Sequence, residues 1–179
     1  MLFCGNCVSI LLKGYMKQVL YKKILVTHDG STLSSAALPH ALLLAKTMQA
    51  QLILLRVIES YPHDDDLLLL PVSRTIILED TELIRKAVVE EKRLAKQQLE
   101  AIKKDLEKEG AAEVITYVEE GFTRDVILDI AKTEHIDLII IATRGRTGLG
   151  RVLLGSVADH IVRYAPCPVL TIHPQKGGK

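Results

Sequence analysis

The stretch ATRGRTGLGRVLLGS, residues 142–156, combines four glycines and three arginines with a terminal serine. It follows an apolar run and leads into a segment with helical spacing. A loop that enters a helix presents unpaired backbone amides and the positive end of the helix dipole, and together these bind anions. Glycine lets phosphate oxygens approach the backbone without a Cβ in the way. We therefore predict a phosphate site at Gly155 and Ser156, where the helix should begin.

Two standard phosphate-binding motifs do not fit this stretch. The run from Gly150 to Ser156 has the outline of a Walker A sequence but lacks its lysine, and no G-x-G-x-x-G follows the first predicted strand. A flexible loop that ends in an ordinary serine N-cap therefore remains an alternative to a ligand site.

Apolar runs and helical spacings alternate along the rest of the chain. The predicted strands are Lys22–His28, Gln51–Ile58, Glu113–Val118, Asp137–Thr143 and Pro168–Ile172. The predicted helices are Ser31–Ala50, Glu79–Glu109, Thr123–Glu134 and Ser156–Tyr164. A long loop over residues 59–77 is predicted between the second strand and the second helix. Pro39 should make the first helix begin late or kink, and Thr123 is a candidate N-cap of the third.

This alternation predicts an α/β fold, a three-layer doubly wound five-stranded parallel sheet of order 3-2-1-4-5 with helices on both faces. Ligands of such sheets bind beyond the carboxyl ends of the strands, where the winding direction reverses. In this order the reversal lies between strands one and four. His28, Asp29 and Gly30 end the first strand, and the glycine-rich stretch follows the fourth. Both should therefore meet at one crevice.

Composition and charge exclude several classes of function. The 179 residues carry 23 basic and 22 acidic side chains, a net charge of +1, which does not suit a nucleic-acid-binding surface. Cys4, Cys7 and Cys167 make neither a disulfide framework nor a four-ligand zinc site, and six scattered histidines show no metal-ligand spacing.

The first twenty residues are too short and too interrupted in their apolar pattern to predict a membrane span or a secretory signal. We therefore expect a cytoplasmic protein that binds neither nucleic acid nor membrane. Its predicted parts are a loose N-terminal extension (1–18), one nucleotide-binding domain (19–174) and a polar tail (175–179).

Three segments together resemble the universal stress protein family. They are VTHDGS (26–31), LLRVIES (54–60) and DLIIIATRGRTGLGRVLLGSVADHIVRYAPCPVLTI (137–172), and the resemblance extends from about Tyr21 to Ile172. Members that bind ATP carry G-x2-G-x9-G-[ST] in this loop. The pattern falls on Gly145, Gly155 and Ser156, while Ala142 stands at the position of the first glycine.

The resemblance implies a nucleotide pocket. Thr27 and Val57 match positions that line the base, Asp29 matches the acidic residue that reaches the ribose or a nucleotide-bound Mg, and Arg144 matches a polar position beside the phosphates. Val157 is a further candidate for contact with the nucleotide. Each match has a structural alternative: core packing for Thr27 and Val57, a carboxylate at a helix N-terminus for Asp29, and a solvated loop side chain for Arg144.

The leading hypothesis is thus a stress-response protein in which ATP, with or without Mg, acts as a regulatory ligand and not as the substrate of an enzyme. A member that has lost nucleotide binding and works through protein contacts is one alternative, favoured by Ala142. Slow ATP hydrolysis or self-phosphorylation on Ser156 or Thr147 is another, and a flavin carrier ranks last. The resemblance also implies a homodimer through strand five, Pro168–Ile172, and leaves room for an unknown protein partner.

Overall fold

In the structure, a computed structural model, residues 21–59, 74–143 and 155–173 are described, the side chains of 74–84 excepted. They form a parallel five-stranded sheet of order β3-β2-β1-β4-β5, as the sequence predicts. The strands are β1 Lys23–Thr27, β2 Gln51–Ile58, β3 Val114–Glu120, β4 Leu138–Ala142 and β5 Val169–Ile172. The helices are α1 Thr32–Ser35, α2 Leu38–Met48, α3 Arg74–Lys108, α4 Thr123–Thr133 and α5 Ser156–Tyr164. The predicted N-terminal extension and C-terminal tail lie outside the described residues.

The inner strands are apolar on both faces because both faces are covered by helices. Along β1, Ile24 and Val26 pack into one core cluster with Ala41 and Ala45 of α2 and Leu99 of α3. Between them, Leu25 points to the opposite cluster, which also contains Ile127 of α4 and Ile161 of α5. At the centre of the sheet, Val26 of β1 is paired with Leu54 of β2 on one side and with Ile140 of β4 on the other. This arrangement confirms the three-layer, doubly wound prediction.

Pro39 divides the predicted first helix in two. Ser31 caps α1, its Oγ accepting a hydrogen bond from the Ser34 amide at 3.1 Å. The second helix, α2, starts at Leu38, which places Pro39 in the first turn, where its missing N–H is not needed. The predicted helix is therefore interrupted before Pro39, and its long second part begins late, at Leu38.

Some predicted element ends were wrong, and so was one predicted cap. Helix α3 begins at Arg74, so residues 74–77 are helical and the long loop ends earlier than expected. Strand β3 runs to Glu120, because pairing of Ile58 with Glu120 continues the ladder through polar residues. Thr123 is the first helical residue and not the N-cap. The cap is Phe122, which has extended backbone angles and makes no side-chain cap hydrogen bond.

Within the described residues, no helix combines the length and the apolar character needed to cross a membrane.

Candidate functional site

A cavity of about 180 Å³ opens at the carboxyl ends of β1, β2 and β4. It lies at the point where the winding direction of the sheet reverses, which is where open α/β sheets bind their ligands. Its walls are Thr27, His28, Asp29, Leu33, Ser34, Leu55, Val57, Thr123, Ile127, Ile141, Ala142 and Val157. Mostly apolar side chains with a few polar groups among them are typical of a small-molecule site.

Five of the nine predicted site residues line this cavity: Thr27, Asp29, Val57, Ala142 and Val157. Gly155 and Ser156 stand at the start of α5 and are exposed, outside the cavity wall. Arg144 and Gly145 lie outside the described residues. The structure thus gathers residues from four separate segments of the chain at one end of the sheet.

Asp29 carries an ionised carboxylate at the cavity rim. Its Oδ1 accepts hydrogen bonds from the Ser31 amide at 2.9 Å and from the Ser31 hydroxyl at 2.6 Å. Partial burial acts to raise the pKa of Asp29, but hydrogen bonds from Ser31 and Ser34 outweigh it and hold the pKa below its usual value. The same bonds place the carboxylate just before α1, so the helix-terminus alternative and the ligand-site interpretation are geometrically compatible.

His28 is a wall residue that the sequence placed at the crevice but to which it gave no role, because the histidines were considered only as metal ligands. It is buried, and the Gly30 amide donates to its Nδ1 at 3.1 Å. Nδ1 must therefore be unprotonated, so Nε2 carries the proton and donates to Ser35 Oγ, 3.1 Å away. Burial, with a smaller contribution from Arg56, lowers the pKa of His28 in spite of neighbouring Asp29. The ring is thus neutral and both of its nitrogens are engaged.

Thr123 is a missed wall residue, since the sequence marked it only as a helix cap. Its hydroxyl donates to Glu59 Oε1 at 2.9 Å and ties the start of α4 to the end of β2. This bond fixes the side of the cavity next to Val57. The signal that could have revealed it is position alone, because Thr123 follows the carboxyl end of β3 in a parallel sheet.

The N-terminus of α5 has the features of an anion site. Gly155 caps it with φ +86° and ψ +149°, backbone angles that suit glycine, and without a side-chain cap bond to the first amides. Ala142 ends β4 in a ladder position opposite Ile172, a strand conformation that any residue adopts. The alanine at the family's first glycine position therefore causes no backbone strain.

The described residues contain no cluster of three or more His, Cys, Asp or Glu side chains suited to a metal. Asp29 would be a single carboxylate ligand. That number fits Mg²⁺ carried by nucleotide phosphates and does not fit a metal held by the protein alone.

Comparison with known proteins gives consistent relatives. The universal stress protein family model matches residues 20–173. The chain is 35% identical over 157 residues to universal stress protein MJ0531 of Methanocaldococcus jannaschii, covering 88% of this chain and 85% of the relative. Among solved structures, universal stress protein UspA from Lactobacillus plantarum matches with a TM-score of 0.69 and 28% identity, over 86% of this chain and 98% of that one.

A second solved structure, that of the hypothetical protein MJ0577, matches with a TM-score of 0.68 and 30% identity, over 89% of this chain and all of that one. The match of the family model to nearly the whole described region, together with the fold and the sequence relatives, leaves one assignment. The chain belongs to the universal stress protein family.

Proposed function

We propose that this protein is a cytoplasmic stress-response protein that binds ATP in the crevice between β1 and β4, with the nucleotide acting as a regulatory ligand. The observation that carries the proposal is the cavity at the winding reversal, where Thr27, Asp29, Val57, Ala142 and Val157 meet. These are the positions at which the family resemblance implies nucleotide contacts.

The proposed pose follows the chemistry of the walls. The base and sugar fill the apolar cavity beside Thr27 and Val57, and Asp29 faces the sugar or a phosphate-bound Mg²⁺. A cavity of about 180 Å³ is below the roughly 300–1,000 Å³ of a complete ligand site. The triphosphate therefore extends out of it, toward the amides at Gly155 and Ser156 and the positive end of α5. Arg144 and Gly145 are assigned to the phosphates by the resemblance alone.

The regulatory role is proposed because the described walls offer no poised catalytic pair. General-base or nucleophilic catalysis needs a base within hydrogen-bond reach of the group that it activates. The one histidine in the described cavity wall, His28, is neutral, and both of its ring nitrogens are hydrogen-bonded, one to Gly30 and one to Ser35. Slow hydrolysis or self-phosphorylation on Ser156 or Thr147 is the competing proposal, and Thr147 lies outside the described residues.

We further propose that two copies associate through β5. Among the described strands, β5 is at the end of the sheet order and pairs with β4 on one side, so a symmetric copy could extend its other edge. An additional protein partner would bind the surface around the nucleotide site, which the nucleotide would alter.

Calorimetric titration with Mg-ATP tests the nucleotide proposal. AMP and cAMP belong in the same series, because two structures of the same fold, each 22% identical, are described with these ligands. The variant Val57→Trp should fill the cavity and weaken binding at least tenfold, while Val89→Trp on the exposed surface of α3 should bind like the wild type. No heat and no thermal shift at millimolar ATP would end the proposal. Phosphate release or protein labelling from labelled ATP would favour the enzymatic alternative.

A further inference from the structure

Arg56 is a charged side chain in the middle of an apolar strand. It stands on β2 between Leu55 and Val57, with only 15% of its side chain exposed, yet it does not line the cavity. Its Nη1 donates to Gln98 Oε1 at 2.6 Å, and its Nη2 lies 3.6 Å from Glu91 Oε1. Both partners belong to α3. A cation with so little exposure to water needs such partners, and they hold the guanidinium in place.

The turn that follows Asp29 rests directly on this guanidinium. A Cβ built on Gly30 would lie 2.5 Å from Arg56 Nη1 and 3.2 Å from its Cζ, so the bare backbone of Gly30 packs against the planar group. Gly30 also has φ +84°, which favours glycine. The conformation of the turn and the place of Arg56 are therefore linked.

His28 also holds this turn. The Gly30 amide donates to His28 Nδ1, while Asp29, the residue between them, is fixed by the Ser31 amide and hydroxyl. Gly30 thus contacts both a neutral imidazole and a guanidinium. Any shift of the guanidinium would move the turn, and with it the Asp29 carboxylate at the cavity rim.

We propose that Arg56 is a positioning residue for the nucleotide site, which supports the Gly30 turn and thereby sets the place of Asp29. The proposal rests on the proposed function, since Asp29 is taken to face the nucleotide. Arg56 acts without touching the ligand. Its loss should weaken binding although every ligand contact remains in the chain.

The Gly30 turn gives this role a signature that a general loss of stability would lack. From α3, Glu91 and Gln98 face Arg56, and the Gly30 amide donates to His28 Nδ1. A displaced turn should therefore change the resonances of the Asp29 and Gly30 amides even before ligand is added.

The test compares Arg56→Gln with Arg56→Lys, and uses Arg93→Gln as the matched control, since Arg93 pairs with Glu90 on the exposed side of α3. Mg-ATP affinity is measured calorimetrically at neutral pH. Arg56→Gln should bind roughly tenfold more weakly. Arg56→Lys keeps the charge but loses the planar guanidinium, so its affinity should also fall. Arg93→Gln should match the wild type.

A second readout needs no ligand. Nuclear magnetic resonance spectra should show displaced backbone amide resonances of Asp29 and Gly30 in Arg56→Gln, and smaller displacements in Arg56→Lys. If the wild type binds ATP and Arg56→Gln keeps its affinity and amide resonances, the positioning role is wrong and the proposed function stands. If the wild type binds no nucleotide, the proposed function fails, and unchanged resonances would remove the positioning role as well. Should Arg56→Gln not fold, the Arg56→Lys comparison decides in the same way.

Discussion

At the scale of single residues, Asp29 has the most direct link to ligand chemistry. Its lowered pKa keeps it ionised at neutral pH, and it is the one predicted metal-facing carboxylate at the cavity. We expect Asp29→Asn to weaken Mg-ATP binding by about tenfold, or about 1.4 kcal/mol, and to affect metal-free ATP much less. Titrations with Mg²⁺ and with EDTA measure both quantities. Asp105→Asn, at an exposed position of α3, is the control. An equal loss of ATP affinity with Mg²⁺ and with EDTA would contradict a metal-facing role of Asp29.

Gly30 allows the contact with Arg56 to be measured through stability. Gly30→Ala should lower the free energy of unfolding by about 1–3 kcal/mol because of the positive φ. The steric clash of the new Cβ with Arg56 Nη1 should lower it further. In an Arg56→Ala background this clash is absent, so the destabilisation by Gly30→Ala should be smaller by about 1 kcal/mol. Gly155 is the matched control. Its φ is +86°, and within the described residues no atom lies within 4 Å of an added Cβ, so the cost of Gly155→Ala should not depend on Arg56. Urea unfolding of the four double-mutant-cycle proteins measures the coupling, and a value near zero would count against the contact.

At the scale of elements, α4 begins without a side-chain cap. Phe122 occupies the cap position with an extended backbone, and 63% of it is exposed, so little packing would be lost by changing it. Phe122→Ser should supply an oxygen acceptor for the first-turn amides and stabilise the protein by about 0.5–2 kcal/mol relative to Phe122→Ala. Chemical denaturation of the two variants isolates the cap, because both remove the same ring. Equal stabilities would show that the first-turn amides are satisfied in another way.

The sequence predicted the elements better than it predicted the contacts between them. Continuous apolar runs such as Leu52–Leu55 required a sheet covered on both faces, and that requirement led to the strand order and the crevice. Long-range contacts carry no such pattern. The bond from Thr123 to Glu59 and the packing of Gly30 on Arg56 each join residues distant in the sequence. Thr123 was therefore missed as a wall residue of the cavity, and His28 was placed at the crevice without a role.

At the scale of the whole molecule, pH should act on stability in two separate steps. His28 has a lowered pKa in the folded state, so the unfolded chain binds its proton first, and stability should fall as the pH drops below about 6.5. Among the described residues, the carboxylates whose pKa is lowered are Asp29, Glu90, Glu134 and Asp159, and their contribution to stability is lost only below about pH 4.5. Urea unfolding across this range should show the first step in the wild type and in His40→Gln, but not in His28→Gln. A first step that survives in His28→Gln would assign it to other groups.

The outer edge of β5 decides the assembly prediction. Carbonyls of Pro168 and Ile172 accept bonds from Ile139 and Thr143 on the β4 side. Since successive residues of a strand alternate in direction, the amides of Val169 and Thr171 face the free edge. Thr171→Pro removes one outward amide while leaving the ladder with β4 intact, as proline at an edge allows. If two copies pair through β5, light scattering should show a dimer for the wild type and for Thr171→Val, and a monomer for Thr171→Pro at nearly the same melting temperature. A monomeric wild type at tens of micromolar would refute the β5 dimer, and a dimeric Thr171→Pro would place the interface elsewhere on the surface.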